Sequence, residues 1–133
     1  MGDEEHVAIA SDADIVTARQ RGRAVAARMG FSSIDLALIA TAISELARNI
    51  VRYAGRGEIH LALLNDGGRE GVQVVASDSG PGIPDIGLAM QGGFSTSGSL
   101  GLGLPGVRRL MDEMEIHSEV GKGTTVKARK WKR

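Results

Sequence analysis

The chain has 133 residues, a length that predicts one domain spanning residues 1–133. Sixteen basic residues balance sixteen acidic ones, which argues against a nucleic-acid or membrane-surface protein. The absence of cysteine excludes disulfides, cysteine-ligated zinc and a thiol nucleophile. No apolar run approaches the ~18 residues of a membrane span and the first residues are acidic, so a cytoplasmic protein is expected. Aromatic residues are only 3%, so the core must be aliphatic. Nine of the 19 glycines fall between positions 80 and 106, where they suggest backbone built for close approach.

Taken in order, residues 5–10 alternate around Val7 and Ile9 as a short edge strand. Ser11 is a candidate cap for a helix to Met29, with Asp12 and Asp14 in its first turn and Gly30 at its end. Ser32 or Ser33 caps a second helix running to about Tyr53, with Leu36, Ile39, Ile43, Leu46 and Ile50 along one side. Ile59, Leu61 and Leu63 mark a strand, and Val72, Val74 and Ala76 mark another that ends at Asp78. Asn65-Asp66-Gly67-Gly68 between them reads as a hairpin loop longer than two residues. Residues 107–114 read as a third helix, and residues 116–120 and 124–130 as a hairpin around Gly121-Lys122-Gly123. Polar residues alternate along the strands, at His60, Gln73, Lys127 and Arg129. The pattern predicts an α+β two-layer sandwich, a mostly antiparallel mixed sheet with helices on one face.

Four local patterns carry chemistry. Glu45 and Asn49 stand four apart on the second helix and share a face with Thr41, Arg48 and Arg52. The pair is a solvated helix face, or a carboxylate base beside an amide oxygen suited to Mg²⁺. Asp78-Ser79-Gly80-Pro81-Gly82-Ile83-Pro84 is a strand-ending turn, or a carboxylate that accepts from an exocyclic amine while glycines admit a flat ring. A glycine-rich stretch from Phe94 through Gly98, Gly101, Gly103 and Leu104 to Gly106 leads into a helix, where free N–H groups suit phosphate. Gly101, Gly103 and Gly106 match G-x-G-x-x-G, but no strand precedes them and Pro105 interrupts them, so a dinucleotide fold is rejected. No G-x-x-x-x-G-K-[ST] occurs. Finally, Gly121-Lys122-Gly123-Thr124 is a hairpin turn that would place a hydroxyl near a bound base.

These four patterns, in this order, resemble the Bergerat (GHKL) ATP-binding fold of histidine kinases, type II topoisomerases, a heat-shock chaperone and the anti-sigma-factor kinases. Residues 78–86 together with 93–98 and 104–107 are similar to the T-type switch kinases of the anti-sigma-factor group, serine/threonine kinases that work with the stressosome, a large STAS-domain signalling complex. The likeness spans residues 7–131. It implies the cofactors ATP and Mg²⁺, with Glu45 as the catalytic base and Asn49 on the metal. It implies that Asp78, Gly80, Gly82, Ile83 and Thr124 form the adenine pocket, and that Gly98, Gly101, Gly103 and Leu104 contact the phosphates. The implied substrates are Ser or Thr residues of STAS-domain proteins. After phosphorylation the kinase would leave them to activate a metal-dependent serine phosphatase. One departure from the group is that residues 84–97 hold no Lys or Arg for the γ-phosphate; Arg108, Arg109 or a partner is left to supply that charge. Two other readings stay open. A histidine-kinase catalytic domain needs a phosphoacceptor histidine in a helix, whereas His6, His60 and His117 fall in strand-like sequence. A non-enzymatic anti-sigma binding module would use ATP as a structural ligand, and it would have no need of Glu45.

Overall fold

The computed structural model describes residues 4–83 and 103–132. Strand β1 (Glu4–Ile9) leads into helix α1 (Asp12–Arg28), and helix α2 (Ser33–Asn49) continues into a π-helical turn, Ile50–Ala54. Strands β2 (Gly57–Asp66) and β3 (Arg69–Asp78) follow, then helix α3 (Gly103–Leu110) and strands β4 (Glu113–Glu119) and β5 (Gly123–Trp131). The strands lie in the order β1-β2-β3-β5-β4, and all four pairings are antiparallel. The expected α+β architecture is therefore present, with β1 and β4 as edges.

Local chemistry explains where the elements start and stop. The backbone N–H groups of Ala10 and Ser11 donate to the Asp14 carboxylate at 2.8 and 3.1 Å, which fixes the entry of α1. Ser32 caps α2 by accepting from the Asp35 N–H at 3.1 Å. The β2–β3 turn is shorter than its sequence suggests. Asp66 pairs with Arg69, so only Gly67 and Gly68 turn the chain, at φ of 61° and 89°. Positive φ at both central residues is the turn that matches strand twist.

The third helix also departs from expectation. It begins at Gly103 and ends at Leu110, and Met114 belongs to β4. The segment Glu113-Met114-Glu115-Ile116-His117 alternates charged and apolar, a period of two that a helix cannot use. Asp112 anchors the change of direction. Its N–H donates to the Arg129 carbonyl and its carboxylate accepts from the Trp131 N–H, both at 2.8 Å.

One face of the sheet is aliphatic and meets the helices. Val7, Ile59, Ala76, Val126 and Ile116 form one rung across all five strands, and Leu61, Val74, Ala128 and Met114 form the next. Ile39, Ile43, Leu46 and Ile50 pack onto them and are 2% exposed or less. The core is thus aliphatic, as the composition requires. Lys130 is buried on the same face, and its Nζ donates to the Leu110 carbonyl at 2.8 Å. It closes the C-terminus of α3, where a cation also suits the helix dipole.

The other face is polar. There Glu113 accepts from the Trp131 indole at 2.9 Å and from Arg129 at 3.3 Å, and Arg69 lies over the Trp131 ring at 3.8 Å. The Trp131 and Arg129 hydrogen bonds hold the Glu113 carboxyl below its ordinary pKa of 4.5. The stabilisation from a depressed carboxyl is complete above that ordinary value and is lost as pH falls through the lower, folded one. We expect wild type to lose more stability than Glu113→Gln on acidification from about pH 7 to about pH 3, measured by denaturant midpoints. Parallel pH profiles would contradict this role of Glu113.

Candidate functional site

The aliphatic pattern of the covered face breaks at its last rung. Ile9, Gly57, Asp78, Thr124 and Ser118 stand side by side in register, one residue per strand. Each of β2, β3, β4 and β5 carries an apolar residue on this face in the rung next to it (Ile59, Ala76, Ile116 and Val126). The rung lies where β3 leaves the sheet.

Asp78 is fixed by its own loop and by its neighbour. Its Oδ1 accepts from the Gly80 N–H at 2.9 Å and from the Thr124 N–H at 3.3 Å. Among the described residues both donors fall on Oδ1, so one oxygen holds the carboxylate in place and Oδ2 keeps its acceptor capacity. The loop after Asp78 is tied to the β4–β5 hairpin. Gly121 N–H donates to the Pro81 carbonyl at 2.9 Å, and Ile83 N–H donates to Ser118 Oγ at 2.7 Å. Ser118 Oγ and Thr124 Oγ1 are 2.8 Å apart.

The glycines here serve contacts within the chain. A Cβ on Gly123 would stand 2.0 Å from the Asp78 carbonyl oxygen, at a φ of 128° that side chains rarely adopt. A Cβ on Gly80 would stand 2.6 Å from the Ala54 Cβ, so the loop lies directly on the π-helical turn. One on Gly82 would meet the Glu119 carbonyl at 2.5 Å. The surfaces that Gly80 and Gly82 approach within the chain are the π-helical turn and the β4–β5 hairpin.

Glu45 lies elsewhere. It is only 4% exposed, and an acid buried to this degree needs a partner. Arg48, one turn on, supplies it by pairing with Glu45 Oε1. Glu45 and Arg48 line a groove of about 540 Å³, together with Ile15 and Arg19 of α1, Thr41 of α2 and Arg52 of the π-helical turn. Asn49, Asp78, Gly80 and Thr124 are not among its walls. Asn49 is half-buried at the end of α2, next to Arg48 of the groove. Among the described residues, Glu45 lines this groove and Asp78 does not, and helix α2 runs from one toward the other.

Gly103 and Leu104 form the first turn of α3, which packs against α2. Gly98 and Gly101 lie outside the described residues, as do residues 84–97. Ser118 escaped the motif reading because its neighbours give it no pattern. Its signal was its place as the first polar residue on the inward stripe of Met114 and Ile116. Arg19 was also missed, since only the packing of α1 on α2 brings it to the groove.

Residues 9–130 match the histidine kinase-like ATPase domain family. The chain is 55% identical over all 133 residues to the serine/threonine-protein kinase RsbT of Bacillus subtilis (strain 168), with both chains fully covered. It is 32% identical over 114 residues to an anti-sigma F factor of Thermoanaerobacter sp. (strain X514), covering 81% of this chain and 78% of that one. Among solved structures, a Mycobacterium tuberculosis protein with RsbU and RsbW domains superposes with a TM-score of 0.68 at 24% identity. That match covers 98% of this chain and 33% of the longer one, and it speaks for the fold alone.

The contact beneath the rung has a direct test. Gly123→Ala forces a methyl group onto the Asp78 backbone and should destabilise the protein by about 1–3 kcal/mol in a urea titration. An unchanged midpoint would show that the hairpin does not bear on Asp78 as described.

Proposed function

The chain belongs to the histidine kinase-like ATPase domain family, and from that premise we propose how its residues divide the work of phosphoryl transfer. It is an ATP-using serine/threonine protein kinase. In our reading Asp78 receives the exocyclic amine of adenine, with Gly80, Gly82, Ile83 and Thr124 shaping that end of the site. The carboxylate anchored through Oδ1 alone is the observation that carries this assignment.

Asn49 would hold Mg²⁺. The donor chemistry fits an ion that keeps waters and takes most of its ligands from phosphates. Among the described residues no three acidic or histidine side chains converge on a cation position, so an all-protein cage is not built here. The bound ion would neutralise phosphate charge. Gly103 and Leu104 present N–H groups at the start of α3, where anions are favoured, with Gly98 and Gly101 completing the phosphate contacts.

Glu45 would accept the proton of the acceptor hydroxyl. The Arg48 pair engages Oε1, and Oε2 is the oxygen we assign to that proton. The groove beside it gives the acceptor segment a place to lie, and its walls carry Arg19, Arg48 and Arg52 together with the acids Asp12 and Glu45. Phosphoryl transfer asks mainly for positioning and charge neutralisation, which this small set of groups can provide. We assign the substrates to STAS-domain proteins of a bacterial stress-response partner switch and the later target to a metal-dependent phosphatase. All three histidines lie in strands, which disfavours a phosphoacceptor histidine. A binding module without catalysis would have no use for a buried, paired Glu45 opening on a groove.

Two variants separate the parts. Asp78→Asn removes a charge-assisted bond of about 1.5–3 kcal/mol and should weaken ATP binding more than tenfold by calorimetry. Glu45→Ala should keep ATP affinity within a few-fold while single-turnover transfer to a STAS partner falls by about 10²–10⁴. Asn49→Ala should lower both. Transfer by Glu45→Ala at the wild-type rate would remove Glu45 from the chemistry. Binding of ATP and partner by wild type without any transfer would favour the non-catalytic reading.

A further inference from the structure

Ser118 has no place in the motifs and yet makes three contacts at the base end of the site. Its Oγ accepts the Ile83 N–H at 2.7 Å, lies 2.8 Å from Thr124 Oγ1, and lies 3.2 Å from the Gly123 carbonyl oxygen. The residue is half-buried on β4, directly opposite Thr124.

A serine hydroxyl carries one proton and two lone pairs. The Ile83 N–H can only donate and takes one lone pair. Ser118 can give its proton to the Gly123 carbonyl and accept from Thr124, which satisfies all three contacts at once. The alternative, in which Ser118 gives its proton to Thr124, leaves the Gly123 carbonyl without that donor and satisfies one contact fewer. In the fully satisfied arrangement the Thr124 proton is spent on Ser118, and the Thr124 hydroxyl has only acceptor capacity left. Thr124 is also the residue whose backbone N–H holds Asp78 Oδ1. One serine therefore restrains two groups near Asp78: the Thr124 hydroxyl, on the residue paired with Asp78 across the sheet, and the backbone of Ile83 in the loop that follows it.

We propose that Ser118 is a positioning residue for base selection: its hydroxyl restrains the Thr124 rotor beside Asp78 and so sharpens discrimination of adenine from guanine. The inference rests on the reading of Asp78 as the adenine carboxylate. An Asp carboxylate by itself accepts from an amine of either base, so discrimination needs a second group of fixed polarity. A Thr124 hydroxyl free to rotate would donate or accept to suit either base, and the preference would narrow.

The test measures ATP and GTP affinity by calorimetry for wild type, Ser118→Ala, Ser118→Cys and Ser118→Thr, with denaturant midpoints alongside. Ser118→Cys keeps the shape with a weak hydrogen-bonding group and covers a failure of the alanine variant to fold. The ATP-over-GTP ratio should narrow by about three- to tenfold in Ser118→Ala and Ser118→Cys, the size of one neutral hydrogen bond, and return in Ser118→Thr. An unchanged ratio in the alanine and cysteine variants overturns the proposal. So does a narrowed ratio that Ser118→Thr fails to restore, because loss of packing would then be the cause. Asp78→Asn serves as the control. If wild type shows no preference, or Asp78→Asn leaves ATP affinity intact, the base-site reading falls and the role of Ser118 falls with it. If Asp78→Asn weakens ATP and the Ser118 variants keep the ratio, only the role of Ser118 falls.

Discussion

One oxygen of Asp78 holds two backbone N–H groups, and the arrangement of the sheet end follows from that. The bond to Gly80 turns the chain sharply as β3 ends, and the turn sets the loop down on Ala54. The bond from Thr124 ties the same carboxylate to β5. Both partners lie close because glycine stands at each approach: Gly80 against the π-helical turn, and Gly123 against the Asp78 carbonyl. A side chain at either position would push the carboxylate's partners apart. The aspartate is thus fixed before any ligand arrives, and a fixed acceptor costs less ordering when it binds a donor than a mobile one does.

Helix α2 connects this end of the molecule to the groove. Glu45 and Asn49 lie on one stripe of the helix, and the next five residues continue as a π turn against β2 and β3. The helix is held on its opposite side by Ile39, Ile43 and Leu46 in the aliphatic core. A rigid element therefore carries the buried acid, the amide and the surface on which Gly80 rests. Buried Glu45 is tolerable because Arg48 pairs with it within the same helix. Such a pair is weak evidence for stability, since burying both charges offsets most of their attraction.

Much of the fold was legible in the sequence because binary pattern and punctuation agreed with each other. Val7 and Ile9, Ile59 and Leu61, Val72 through Ala76, and the caps at Ser11 and Ser32 all pointed to the elements that form. The failures have particular causes. The Gly67-Gly68 turn seemed long because Asn65 and Asp66 look like loop residues, although strand pairing extends through them. The third helix was placed too late because Met111 and Met114 fit a helical spacing, while the alternation through Ile116 obeys the strand. Of the site, Glu45, Asn49, Asp78 and Thr124 could be named from local motifs. Ser118 and Arg19 could not, because each acquires meaning only from a neighbour distant in sequence: Ser118 from Ile83 and Arg19 from Arg48 and Arg52.

The central claim is that base recognition occurs at the polar rung while the acceptor is handled at the groove. Backbone amide NMR of the ¹⁵N-labelled protein, titrated with Mg-ATP, tests it most directly. The account predicts that the amides of Gly80, Ile83 and Thr124 shift on addition of nucleotide, while Ile15 and Arg19 on the α1 wall of the groove hold their positions. The opposite pattern, with the α1 wall perturbed and Gly80, Ile83 and Thr124 unmoved, would contradict it.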